Sequence, residues 1–182
     1  MSPMKEIAMS IYEAFRKRDQ RKLRKLNDKI LRNAVLEFSR KLYDLAVFSY
    51  VFSKIISKPR YVSKEMEKFL IPLENDLKQM AKSADDYSDE EWKVQAKIIE
   101  QDIAHLEGED PRFIISLMQK GKLKVAATLY AQGISLGLAS EMTGMNKQDI
   151  LDYAGKTMMF DRVKEEKGIL ERVKALRKLV EK

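Results

Sequence analysis

Cysteine is absent from the 182-residue chain, and glycine and proline are scarce, at seven and four residues. Without a thiol there is no disulfide framework, thiolate zinc site or cysteine nucleophile, a composition that fits a reducing compartment. All seven glycines fall after residue 107, at Gly108, Gly121, Gly133, Gly137, Gly144, Gly155 and Gly168. A phosphate-cradling loop in the first 107 residues is therefore excluded, because such loops need glycine for close backbone approach to phosphate. Long apolar runs are missing too. The most apolar window, Leu42 to Ile56, spans 15 residues and includes Asp44, Ser49, Ser53 and Lys54, short of the roughly 20 residues of a membrane span. The first six residues, Met1 to Glu6, lack the basic start, apolar stretch and small-residue cleavage site of a secretory signal. We therefore expect a soluble cytoplasmic protein.

What is present reads as helix. Leu, Lys, Glu, Ala and Met are plentiful, all good helix formers, and 45% apolar residues can fill a sizeable core. No proline or glycine lies between Pro3 and Pro59. Ser2 and Pro3 read as a helix start, followed by the stripe Met4, Ile7, Ile11, Phe15 and an end near Arg18 to Gln20. A second stripe runs from Leu23 to Ile55 in steps of three and four, which predicts a helix of about 55 Å if it is unbroken, with Leu42 to Ile56 as the central core element. Ser63 is expected to cap a third helix kinked near Pro72, and Ser88-Asp89-Glu90-Glu91 is a capping box for a fourth. Asp110-Pro111 is expected to open a fifth helix closing near Gly121, with Lys122 to Gln132 as a sixth closed by Gly133. Ser135 to Thr143, Asn146 to Gly155 and Asp161 to the end complete the chain. No alternating strand pattern or fixed repeat appears, so the fold class is all-α. We expect a helical scaffold over 1–110, a helix-turn-helix region over 111–160 and an interaction or dimerisation helix over 161–182, packed as one unit.

The informative segment is Ile134-Ser135-Leu136-Gly137-Leu138-Ala139-Ser140-Glu141-Met142-Thr143-Gly144-Met145-Asn146-Lys147-Gln148-Asp149-Ile150-Leu151. A helix-turn-helix places a small residue on its first helix, a glycine four positions later at the turn, then an apolar residue and a second apolar residue six positions after the glycine. Ser140, Gly144, Met145 and Ile150 fit those roles, with Asn146 as the natural N-cap of the second helix. The segment from about 122 to 156 resembles the small helix-turn-helix antitoxins that partner toxin nucleases in archaea and bacteria. The resemblance implies a DNA-binding regulator, working as a dimer, whose second helix enters the major groove and presents Asn146, Lys147, Gln148, Leu151 and Asp152 to the bases. Asn and Gln can read adenine, and Lys can read guanine or a phosphate. Residues 134–156 carry a local charge of −1, however, so phosphate neutralisation must come from elsewhere.

One source is the run from Arg16 to Arg32, with nine cations among 17 residues. At helical spacing Arg18, Arg21, Lys22, Lys25, Lys29 and Arg32 make a basic stripe beside the apolar one. The overall charge of +7 is itself segregated, with +9 over residues 1–60, −8 over 61–111 and +6 over 112–182. That pattern allows two uses, a polyanion-binding end or an acidic middle packed between basic flanks. The C-terminal stripe Ile169, Val173, Leu176 and Val180, with Arg172 and Arg177 beside it, can pair with its twin, lie in a partner's groove or pack on its own bundle. In antitoxin-like proteins such a segment sometimes sets an Arg against the toxin's acidic metal site, a role that the resemblance would give to Arg162, Arg172 or Arg177.

Enzymatic chemistry finds little support. Asp102 and His105 stand three apart as in di-iron bundles, but His105 is the single histidine and a second such pair is lacking. The acidic group Asp85 to Glu91 lacks the alternation and central glycine of an EF-hand loop. We expect no enzyme, no metal and no cofactor. The expected function is a nucleic-acid-binding regulator with DNA and a protein such as a toxin nuclease as partners. The alternative is a helical adaptor that binds protein through its C-terminal helix.

Overall fold

The computed structural model describes residues 3–37, 39–108 and 116–163. Those residues form an all-α fold with no strand among them. The chain order is α1 (Pro3–Arg16), α2 (Gln20–Glu37), α3 (Arg40–Ile56), two short 3-10 turns (Pro59–Val62 and Lys64–Met66), α4 (Glu67–Lys82), α5 (Asp89–Gly108), α6 (Leu117–Ala131), α7 (Leu136–Thr143), α8 (Lys147–Lys156) and the single turn α9 (Met159–Arg162).

The long helix expected from Leu23 to Ile55 is two helices. α2 ends at Glu37, and Ser39 starts α3 with an extended backbone and a hydroxyl that accepts from the Leu42 N–H at 3.4 Å. The two helices then run side by side, joined in the buried seam by Asn27, whose amide donates to the Ala46 carbonyl at 2.7 Å. A serine cap, not a breaker residue, ends the run. The turn between α1 and α2 is closed in a similar way. Arg18 adopts a left-handed backbone at φ 55°, and Asp19 N–H donates to the Ala14 carbonyl at 2.8 Å while Arg18 N–H donates to that of Phe15. This is the hydrogen-bond pattern of a helix end that usually uses glycine. The Asp19 carboxylate then accepts from the Lys22 N–H at 2.9 Å and opens α2.

As expected, α3 is the centre of the core. It packs against α1, α2 and α6, and α4 packs against α1 and α5. Phe52 stacks near Phe15 and Phe48, with ring centroids 4.5 and 6.0 Å away. Two serines on this buried helix satisfy their hydroxyls by donating back to carbonyls three residues earlier, Ser49 to Ala46 and Ser53 to Tyr50. Asp44 is also buried, but its carboxylate accepts from the Trp92 indole N–H at 3.0 Å and pairs with Arg40 at 3.4 Å. Burial raises its pKa above the usual carboxylate range against the opposing pull of Arg40.

Two further boundaries differ from the sequence reading. Ser63 opens the 3-10 turn without a side-chain cap, and α4 starts at Glu67 and runs through Pro72. Gly121 does not close a helix. It lies inside α6, where an added Cβ would sit 2.7 Å from Val51 Cγ2, so its small size lets α6 approach α3. The start expected at Asp110-Pro111 lies outside the described residues, as does the C-terminal stripe from Ile169 to Val180. The capping box is formed as expected, with Ser88 N–H donating to the Glu91 carboxylate at 2.8 Å and Glu91 N–H to the Ser88 hydroxyl at 3.2 Å.

Candidate nucleic-acid interface

α6, α7 and α8 form a small unit in which α6 packs against both shorter helices and, on its other side, against α3. Gly133, at φ 103°, closes α6, and the Ser135 hydroxyl caps α7 by accepting from Leu138 N–H. The chain turns between α7 and α8 at Gly144, which adopts φ 67°. The residues singled out from the sequence build that turn. Gly144 N–H donates to the Ser140 carbonyl at 2.8 Å, the Ser140 hydroxyl donates to the Met145 carbonyl at 2.7 Å, and Met145 N–H donates to the Thr143 hydroxyl at 3.1 Å. Ile150 and Ala154 are fully buried and anchor α8.

Asn146, Lys147, Gln148, Leu151 and Asp152 all lie exposed on α8 or at its start. Three of them already have partners. Asn146 caps the helix, its Oδ1 accepting from Gln148 N–H at 2.8 Å, and the Gln148 amide donates to Asp152 Oδ1 at 2.8 Å. Reading adenine takes the amide oxygen and nitrogen together, so Gln148 must first leave Asp152, and Asn146 is held to its capping role. Lys147 is the cation at this end.

The α2 stripe divides. Arg18 is drawn inward, pairing with Glu74 of α4 at 2.7 Å, and Lys22 stands 3.9 Å from Glu13. Arg21, Lys25, Lys29 and Arg32 are exposed. Part of the charge segregation is therefore spent within the molecule: Arg18–Glu74, Lys41–Asp89 at 3.8 Å and Lys122–Glu100 at 2.8 Å each join a basic flank to the acidic middle. The remaining α2 cations face solvent.

A second basic feature combines residues that the sequence holds far apart. Arg24, Asn27 and Asp28 of α2, Tyr50, Ser53 and Lys54 of α3 and Lys124 of α6 line a cleft of about 280 Å³. The Lys124 ammonium lies 4.5 Å from the centre of the Tyr50 ring and 3.5 Å from Asn27 Oδ1, and the Lys54 ammonium lies 5.4 Å from the same ring. Burial, then the neighbouring Lys54 and Arg24, lowers the Lys124 pKa, and Asp28 opposes them. The Tyr50 hydroxyl is pushed up to about 12, chiefly by burial and next by Tyr153 of α8. Beyond Lys54 the positive field continues through Lys58, Arg60 and Lys120, and burial followed by those neighbours lowers the Lys58 pKa. Glu107, buried at the end of α5, is the opposing acid and also caps α6 by accepting from Leu117 N–H. Nothing in the spacing of Arg24, Lys54 and Lys124 announces this meeting. The one local signal is the density of lysines in Lys120-Gly121-Lys122-Leu123-Lys124.

Asp102 belongs to a different pairing from the one considered with His105. It lies beside Asp76 across the α4–α5 seam, and burial and that second carboxylate push its pKa up to about 6. No group of three or more potential metal ligands forms among the described residues, and no helix among them is long and apolar enough to cross a membrane. Of the C-terminal arginines, Arg162 is exposed on α9, whereas Arg172 and Arg177 lie outside the described residues with Ile169, Val173, Leu176 and Val180. Comparison with protein-family models, curated proteins and solved structures gives no significant match for this chain.

Proposed function

We propose that this chain is a nucleic-acid-binding regulatory protein, with DNA as its first target, that acts as a dimer in the manner of an antitoxin. The observation that carries this proposal is the exposure of Asn146, Lys147 and Gln148 at the start of α8 together with that of the α2 cations Arg21, Lys25, Lys29 and Arg32. Phosphate contacts supply most of the sequence-independent affinity, and α2 provides the charge that α8 lacks. The dimer is part of the proposal because paired half-sites require paired reading helices. Light scattering tests the dimer.

Binding is tested by fluorescence anisotropy of labelled duplex DNA and single-stranded RNA across a salt series. Affinity is expected to fall steeply as salt rises, and Lys25→Glu with Lys29→Glu is expected to weaken all sequences about equally. If neither nucleic acid shows salt-dependent binding, the proposal fails.

A helical adaptor is the second reading, and one observation favours it. Met158 and Phe160 are 62% and 53% exposed, and Phe160 meets Tyr130 edge-on at 5.2 Å beside a groove lined by Ile134 and Val163. Exposed apolar groups of this kind suit a protein contact better than a phosphate backbone.

A further inference from the structure

We propose that the cleft between α2, α3 and α6 is a phosphate-binding site in which Arg24, Lys54 and Lys124 contact the anion. The inference deepens the nucleic-acid proposal and rests on it only for the source of the phosphate, which is either a polynucleotide backbone or free phosphate.

Three features of the cleft carry it. The first is charge. Arg24, Lys54 and Lys124 face a single carboxylate, Asp28, so the lining holds a net charge of about +2, opposite in sign to a phosphate group and large enough to balance a monoester near neutral pH. The second is proximity of like charges. The Lys54 and Lys124 ammonium groups approach one Tyr50 ring, at 5.4 and 4.5 Å, and Arg24 shares the cleft with them. Ring attraction holds each in place, and a counter-charge relieves their mutual repulsion. Asp28 supplies part of it, and an anion seated between the three cations would supply the rest. Burial is the chief cause of the lowered Lys124 pKa, and Lys54 and Arg24 add to it against the opposing pull of Asp28.

The third feature is size and pre-organisation. A space of about 280 Å³ lies just below the roughly 300–1,000 Å³ range of small-molecule pockets, and it has room for a phosphate group. Asn27 holds the arrangement from below. Its amide nitrogen donates to the Ala46 carbonyl at 2.7 Å, which leaves Oδ1 directed at Lys124 at 3.5 Å. Lys124 is thus oriented before any ligand arrives. The carboxylate of Asp28 opposes the anion and helps to set how strongly it binds.

The test uses the full chain and two probes, inorganic phosphate and a short fluorescein-labelled DNA duplex. Thermal unfolding of the wild type is compared in phosphate and in chloride at equal ionic strength, with Lys124→Met and Arg24→Gln as variants. Arg24 is exposed, so Arg24→Gln leaves the core intact even if Lys124→Met alters folding. Phosphate is expected to raise the wild-type Tm, as any ligand that binds only the folded state must, and the rise is expected to vanish in both variants. Because phosphate also stabilises proteins non-specifically, a rise of equal size in wild type and both variants overturns the proposal. So does a wild type that unfolds at the same temperature in both salts. Duplex affinity is expected to fall on the order of tenfold in each variant, which corresponds to about 1.4 kcal/mol. If phosphate acts as expected but no nucleic acid binds, the cleft stands as a free-phosphate site and the nucleic-acid proposal falls. If the duplex binds wild type and both variants alike and phosphate has no effect, the cleft proposal falls while nucleic-acid binding stands.

Discussion

Of the 17 residues of α3, twelve are buried, whereas α8 buries only Ile150 and Ala154 of its ten. The first helix is held on nearly every side by apolar contact, and its buried Asp44, Ser49 and Ser53 are hydrogen-bonded within the core. The second is held by two anchors, the Asn146 cap and the Gly144 turn, and most of its other side chains are exposed. The contrast separates a part of the protein that specifies the fold from a part that the fold carries. Stability should follow the same division.

The largest expected effect is at the centre. Phe52→Ala removes a ring packed between Phe15 and Phe48 and should cost about 3–5 kcal/mol, read as a fall in the denaturation midpoint of the whole chain. Ile150→Ala is the matching change on α8 and should cost about 2 kcal/mol or more. Here the informative measurement is hydrogen exchange: α8 amides should exchange faster while α3 amides keep their protection. Equal loss in both helices would break the comparison and make them one cooperative unit.

Gly121→Ala probes the contact that joins the two parts. The new Cβ would meet Val51 Cγ2 at 2.7 Å and Val47 Cγ1 at 3.3 Å, and valine side chains yield little because their χ1 is restricted. We expect a loss of about 1–3 kcal/mol in chemical denaturation, despite the better helix propensity of alanine. Wild-type stability in this variant would mean that α6 can shift on α3.

A smaller effect concerns Asp102. Its folded pKa of about 6 lies above the 3.8 of an ordinary aspartate, so the folded state keeps this proton to higher pH than the unfolded chain does. The contribution to stability is full below the unfolded value and is lost as pH rises through the folded one. Asp102→Asn should therefore flatten the decline in stability between about pH 4 and pH 6 and stabilise the protein at pH 7 by on the order of 1 kcal/mol, allowing for solvent screening. Thermal melts across that range check both. The smallest expected change is Gly155→Ala. Nothing lies within 4 Å of its added Cβ, and the residue is helical, so a gain of about 0.5–1 kcal/mol is expected. It sharpens the comparison because the same substitution at Gly121 has the opposite sign.

Much of this protein was legible from local chemistry. The capping box at Ser88, the caps at Ser135 and Asn146, the turn at Gly144 and the burial of Ile150 all follow from residues within a few positions of one another. What was missed has a common cause. The break at Ser39 is marked by no proline or glycine, because a serine cap and the gain from folding α2 back on α3 suffice. Arg18 takes a backbone that usually calls for glycine, with a hydrogen bond to the Phe15 carbonyl at 3.0 Å and the ion pair with Glu74 as its compensating contacts. Gly121 reads as a helix end in the sequence, yet the need for space there comes from Val51, seventy residues earlier in the chain.

The sequence by itself determined the helical class, the starts of α1, α5, α7 and α8 and the identity of the central core helix, since periodicity, capping and composition act within one or two turns. Only the tertiary structure decided which charges are used internally and which face solvent. It drew Arg18 to Glu74, left Arg21, Lys25 and Lys29 exposed, and brought Arg24, Lys54 and Lys124 to one cleft. Electrostatic energy depends on distance and burial in space, and neither is set by separation along the chain.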